Sequence, residues 1–306
     1  MLDIVAVGDY YAPVDDTTEA ADLKQEVKQA CRQRFRRIDR FTQLCLIGSS
    51  RCVEGISLAP ETGLYIGSRF AAISNTINVQ TQMIKHGQIP KPAHFINTLS
   101  NSAGYYVGRN LALEGKNLFI SRADASTEAV LQMAQLDLQC QTADQILVGI
   151  VDEMPSPLSD HRQRLGVDSS TPLAEASHWL LLRRSTESNK KSEKTNCLSV
   201  IEEVKTLGSE RDLIDWLTAI PEDIRRNGFI HYSSATASNT PDTLITAWPS
   251  YLTAMNLDMR YSPALTAGVL SHFVQNPSPG TATPATLITV HRDEDQRFHI
   301  IRVRKT

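Results

Sequence analysis

Apolar and polar positions along this chain follow two alternating periods. Short apolar runs at 4–7, 63–68, 119–121, 146–151, 179–183, 197–204, 229–232, 286–290 and 298–303 have the length and composition of strands. Between several of them, at 42–53, 72–86, 126–136, 212–217 and 262–274, longer stretches read as helices. Gly8-Asp9 predicts a turn, Arg292-Asp293-Glu294-Asp295 a charged hairpin turn, and the hydrophilic stretch from Ser185 to Thr195 a surface hairpin loop. Residues 15–40 are charged and helix-rich, and 155–172 form a Pro- and Ser-containing connection. Strand and helix alternate through the first half, which is the signature of a layered α/β sheet. Two strand/helix halves, 1–160 and 161–306, summarise the pattern; the letters contain no repeat of about 20–50 residues.

The most informative stretch runs from Asn117 to Gln135. An apolar run (Leu118-Phe119-Ile120) meets small or polar residues (Arg122-Ala123-Asp124-Ala125), and a helix follows. Its apolar face is expected at Ala129, Val130, Met133, Ala134 and Leu136. A strand that turns sharply into a helix exposes one side chain to the backbone N–H groups and the positive end of the dipole. Many enzymes seat a nucleophile there. Here the seat holds Asp124, a carboxylate that this field stabilises by roughly 0.3–1 kcal/mol and thereby makes less basic. A capping residue filling the position is the simple expectation; a catalytic base is the other.

Composition narrows the function. A net charge of −3 gives no global attraction to nucleic acid or anionic membrane, and the cluster Arg32, Arg34, Arg36, Arg37 reads as a solvated helix face. No run of about 18 apolar residues is present, so no membrane span is expected. The first eight residues lack the basic start of a signal peptide. Five cysteines without metal or CxxC spacing fit reduced, mostly buried thiols and a cytoplasmic protein. Eight histidines show no HxH or HxxxH pair, so no metal is expected; no GxGxxG or GxxxxGK[ST] appears, so no nucleotide cofactor is expected. Ser126, Ser233 and Ser234 have no base adjacent in sequence, which leaves a hydrolase triad without support from the letters. His231 ends a strand near the expected pocket and fits a structural histidine better than a catalytic one.

Several segments, taken in order, resemble the β-ketoacyl synthases of the thiolase fold. Arg36-Arg37-Ile38-Asp39-Arg40-Phe41-Thr42-Gln43 is similar to their Arg-Arg-Met-Asp-Arg-Phe-Thr-Gln helix start. Thr62 to Ser68 resembles an early strand ending in Gly-Ser, and Asn97 to Asn101 with Gly104 and Leu113 to Asn117 the segment before the nucleophile. Ile146 to Glu153 resembles the following strand, and Leu173 to Leu181 the strand that opens the second half. The resemblance is carried by residues 36–204. It implies an α/β, thiolase-like fold in which two αβα halves form five αβαβα layers.

Departures from the family pattern fall on its catalytic positions. Asp124 stands where the family has its Cys, whose thiolate attacks the acyl thioester. Ser234 lies nearest the place of the first histidine in the loop His231 to Asp242, and Pro263 stands on the second histidine. The glycine-rich loop expected before Thr286 has no counterpart. The resemblance therefore implies a catalytically dead paralogue of the chain-length-factor type. Such a pseudoenzyme would pair as a heterodimer with an active β-ketoacyl synthase of type II polyketide or fatty-acid-like (aryl polyene, for one) biosynthesis. It would complete the partner's dimer and acyl tunnel and work indirectly with an acyl carrier protein. Residues 95–106 and 119–126 are the expected interface, and Phe70, Tyr105, Tyr106, Arg122 and Met133 are interface or tunnel candidates. The reading from a different class is a thiolase-fold acyltransferase or decarboxylase using Asp124 or His231.

Overall fold

The computed structural model describes residues 1–16, 21–185, 197–234, 260–276 and 285–306. The expected loop over 186–195, the 235–242 part of the histidine loop and the segment just before Thr286 lie outside these. The strands are β1 (Leu2–Val14), β2 (Gly63–Gly67), β3 (Asn117–Ile120), β4 (Gln145–Asp152), β5 (Leu173–Arg184), β6 (Ser199–Leu207), β7 (Phe229–Ser234), β8 (Thr286–Arg292) and β9 (Phe298–Lys305). The helices are α1 (Lys24–Ala30), α2 (Arg40–Cys52), α3 (Ile73–His86), α4 (Pro92–Ile96), α5 (Ser102–Leu111), α6 (Ser126–Gln139), α7 (Leu158–Leu165), α8 (Glu210–Thr218), α9 (Glu222–Asn227) and α10 (Leu265–Gln275).

Among the described residues the strands run in the order β3-β2-β4-β5-β1-β6-β9-β8-β7. The first five and the last four repeat one arrangement. In each set the first strand lies next to an antiparallel last strand, which joins a run of parallel strands, three in the first set and two in the second. Among the described strands, the two sets pair where Leu2–Ile4 lies beside Ser199–Ile201. Packing makes the layers explicit. α2 and α5 cover one face of the first set, α8 covers the outer face of the second, and α6 and α10 touch strands of both. The result is the five-layered αβαβα stack expected for a thiolase-like protein, with a large apolar cluster around α6 and α10 at its centre.

The family-like motif at the start of α2 is structural. Asp39 caps the helix by accepting from the Thr42 backbone N–H at 2.8 Å, and Arg40 forms a two-point pair with Glu175 of β5 at 2.7 and 2.5 Å. Glu175 is 1% exposed, so this pair ties helix to sheet inside the protein.

Three expectations are corrected. Gly8-Asp9 is no turn: β1 continues to Val14, paired along its length with β5. Gly8 is there for space, since a Cβ would stand 2.1 Å from the Cys52 backbone nitrogen at the end of α2. The strand at 173–184, expected to open the second half, instead lies between β1 and β4 in the first set of strands. In α6, Leu136 is 53% exposed while Leu131 and Leu138 are buried, because a helix between two sheets buries a wider arc than one apolar stripe. All five cysteines are free; Cys45 and Cys52 are buried and Cys140 is exposed. No helix among the described residues is long and apolar enough to cross a membrane.

Candidate functional site

β3 ends at Ile120, and the chain turns into α6 through Ser121–Ala125. Ala123 takes φ 45°, a left-handed conformation uncommon for a residue with a Cβ, so this turn is held under local strain. Ser126 fixes it: its Oγ accepts from the Arg122 N–H at 2.9 Å and lies 2.7 Å from the Ala123 carbonyl and 3.1 Å from that of Ser68. Gly67 of β2 permits the approach, since a Cβ there would meet the Ser126 carbonyl oxygen at 3.1 Å. Asp124 thus sits at the end of an elbow, buried, at the N-terminus of α6.

Its partner comes from the other half. His291 at the end of β8 places Nε2 3.1 Å from Asp124 Oδ2, and both side chains are 6% exposed. On the far side of the same ring, Nδ1 lies 2.9 Å from Ser233 Oγ, directly across in register on β7. The tautomer that satisfies both contacts carries its proton on Nε2, donates to Asp124 and accepts from the Ser233 hydroxyl. Burial alone would lower the His291 pKa. The hydrogen bond to Asp124 and the negative charges of Glu128 and Asp124 outweigh burial and raise it.

Glu128, one turn into α6, is fully buried, and neither carboxylate oxygen has a hydrogen-bond partner. Burial raises its pKa against the pull of His291. His299 stacks beside His291 with ring centres 6.2 Å apart and contacts Asp293 at 2.8 Å and Thr206 at 2.9 Å. His231 shares the inner face of β7 with Ser233. Its buried Nε2 has no partner, and burial, reinforced by the charge of His291, brings its pKa down to about 4, so the ring stays neutral.

Carboxylates also hold the neighbouring strand ends. Asp152 accepts from the Ser68 hydroxyl at 2.8 Å and the Arg69 N–H at 2.9 Å, and Glu153 accepts from the Ser74 N–H at 2.7 Å. Burial pushes Asp152 up to about 7 and Glu153 up to about 8. Arg69 reaches across to Glu294 in the β8–β9 turn at 3.4 Å, closing the two halves around the elbow. Among the described residues no three His, Cys, Asp or Glu side chains group as metal ligands would.

The residues singled out from the sequence occupy different places. Asp124 is at the centre. Arg122, an interface or tunnel candidate, lies two residues before it and is partly buried, and the contact of Asp124 is with His291. Ser234 ends β7, while Ser233 is the residue that touches the histidine. Pro263 precedes α10 and is partly buried. Tyr105 is 59% exposed on α5, edge-on to Tyr106, which packs against Phe35. Phe70 lies against Arg69 and His161, and Met133 packs on the central cluster. The sequence missed His291. The predicted hairpin placed it just before a turn, and the observed turn, centred on Asp295, sets it opposite His299.

Fold and site together describe a thiolase-like protein with an aspartate in the turn from β3 into α6. The family model for the β-ketoacyl synthase N-terminal domain matches residues 8–170, just over half of the chain, and the chain belongs to the β-ketoacyl synthase family. Solved structures agree on the architecture. The ishigamide ketosynthase/chain length factor superposes with a TM-score of 0.73 at 15% identity, covering 99% of each chain. AntDE:AntF, a type II acyl-carrier protein in complex with its ketosynthase bound to the hexaketide, gives 0.69 at 12% identity over 100% of this chain and 99% of that one. The ketosynthase from module 6 of the bacillaene synthase of Bacillus subtilis 168 gives 0.70 at 11% identity over 100% of this chain and 72% of that one. At such identities the likeness is one of fold. No curated protein matches the chain in sequence.

Proposed function

We propose that this chain is a chain-length-factor-like subunit: a non-condensing β-ketoacyl synthase homologue that pairs with an active ketosynthase in polyketide or fatty-acid-like synthesis. The observation that carries the reading is Asp124 at the elbow, paired with His291. Condensation through an acyl-enzyme requires a thiolate at this seat, and a carboxylate held by a buried histidine does not supply one.

A second feature supports pairing. From α3 to α5 the surface carries large apolar side chains in sequence order: Ile84 at 80% exposure, Ile89 at 96%, then Phe95, Ile96, Leu99 and Tyr105, each more than half exposed. Such density is unusual for a surface meant to face water and is typical of a covered one. β3, next along the chain, pairs with β2 and has no other partner among the described strands, so it offers an edge for a second chain. Tyr105 belongs to this surface and Arg122 follows the β3 edge in the chain; completing the partner's acyl tunnel is part of the proposal.

Co-expression tests the proposal. A tagged copy produced with the ketosynthase from its own gene neighbourhood is expected to co-elute with it as a one-to-one complex. Phe95→Glu combined with Leu99→Glu is expected to abolish co-elution while leaving the chain folded. A chain that purifies apart from the ketosynthase as a stable homodimer would overturn the reading.

A further inference from the structure

We propose that Ser233, His291 and Asp124 form an acyl-ester hydrolysing relay, with Ser233 Oγ as the nucleophile toward thioesters and activated oxygen esters. The inference goes beyond the partner-subunit reading and does not depend on it. The connectivity is that of a serine nucleophile, its base and the base's orienting acid. Ser233 Oγ is 2.9 Å from His291 Nδ1, and Nε2 of the same ring is 3.1 Å from Asp124 Oδ2. Compared with the familiar serine hydrolases, the two ring nitrogens exchange roles, which the chemistry tolerates because either nitrogen can accept while the other donates.

Burial is graded as the reaction requires. Ser233 is partly exposed, whereas the histidine and the aspartate are buried. Glu128 adds a second, fully buried carboxylate whose charge reaches His291, so the imidazolium formed during attack is stabilised from two sides. The same strand face carries His231, a neutral ring with an unpartnered buried Nε2 that feels the charge of His291. Glu128 and His231 are the unsatisfied buried polar groups expected where a substrate or water completes the hydrogen bonding.

The step balances without redox chemistry. As Ser233 Oγ bonds to the acyl carbonyl carbon, its proton passes to His291 Nδ1. The C–S bond of a thioester then breaks, the thiolate takes that proton, and the acyl group remains on Ser233. A water molecule attacks the acyl-serine, gives its proton to Nδ1, and Ser233 leaves with it. Thioester and water become acid and thiol. The base must be neutral to start, so the rate is expected to rise with pH through the His291 ionisation, which lies above the ordinary imidazole value.

The experiment uses the purified full chain and three probes: a fluorophosphonate, p-nitrophenyl butyrate and butyryl-coenzyme A. The fluorophosphonate is expected to modify one peptide, at Ser233, as read by mass spectrometry on the unmutated protein. Ser233→Ala is expected to abolish labelling and lower butyrate ester hydrolysis about a hundredfold or more, with His291→Gln close behind. Asp124→Asn is expected to lower kcat and to move the lower limb of the pH profile, which a merely structural role would not do. Absence of label at Ser233 in the unmutated chain would overturn the proposal, and so would a folded Ser233→Ala chain with an unchanged rate. Ser233→Ala retains the surface proposed for pairing, so co-elution with a ketosynthase reports on that reading separately.

Discussion

At the scale of single residues, two buried contacts carry most of what is distinctive here. One is the Arg40–Glu175 pair, a two-point interaction with Glu175 almost wholly out of water. Glu175→Ala leaves a half-buried guanidinium without its partner and is expected to cost about 3 kcal/mol, read from denaturant unfolding midpoints; Asp39→Ala, which removes only a cap, is expected to cost about 1 kcal/mol. The other contact is Asp124 to His291. An elbow with a dipole and an imidazole beside it should depress the pKa of a thiol placed there. In Asp124→Cys the new cysteine is expected to react with iodoacetamide near neutral pH at least about tenfold faster than the exposed Cys140. Equal rates would mean that the site does not activate anions. The aspartate was legible from the letters because it stands in a strand-to-helix turn; its partner was not, since His291 lies 167 positions away in sequence and only the meeting of the two halves joins them.

At the scale of elements, packing decided what periodicity left open. The helix at 126–139 was legible as a helix, but its buried arc was not, because a one-sided apolar stripe is the signal for a surface helix and α6 lies between two sheets. Similarly, glycine followed by aspartate reads as a turn, whereas in β1 the glycine marks where α2 presses against the strand. A side chain at position 8 must displace backbone. Gly8→Ala is therefore expected to cost roughly 3 kcal/mol by thermal or chemical unfolding, at the high end for overpacking and well above the effect of an alanine substitution at an exposed position. The apolar stretch from α3 to α5 makes the opposite prediction. Phe95→Glu should leave the stability of the isolated chain within about 0.5 kcal/mol of the original, because more than half of the side chain is already exposed. A large loss of stability there would show that the patch is packed within the chain and not reserved for a partner.

At the scale of the whole molecule, the duplication of strand order explains why the site exists at all. Each half ends its parallel strands at the same level, and the carboxylates Asp152 and Glu153, the elbow and the β8–β9 turn all gather there. No letter-level repeat revealed the duplication, because the halves share strand order and direction and not their letters. Gathering acids in a buried place has a consequence for pH. Asp152 and Glu153 bind protons more tightly folded than unfolded, with values of about 7 and 8, so stability from this source is present at low pH and is lost as pH rises through those values. Asp152→Asn and Glu153→Gln remove that penalty. The stability of each variant relative to the original chain is expected to shift in the variant's favour between about pH 5 and 8, measured by unfolding at matched ionic strength. A difference that does not vary with pH would place both carboxylates outside this coupling.

The measurement that bears most directly on the molecule's role is carbon–carbon bond formation from acyl and malonyl carrier-protein thioesters, followed with each chain alone and with the two together. The expected result is no condensation by this chain alone, product only when an active ketosynthase is present, and a yield or chain length that depends on adding this chain but not on whether Asp124 is changed to alanine. Condensation by the isolated chain, lost in Asp124→Ala, would contradict it.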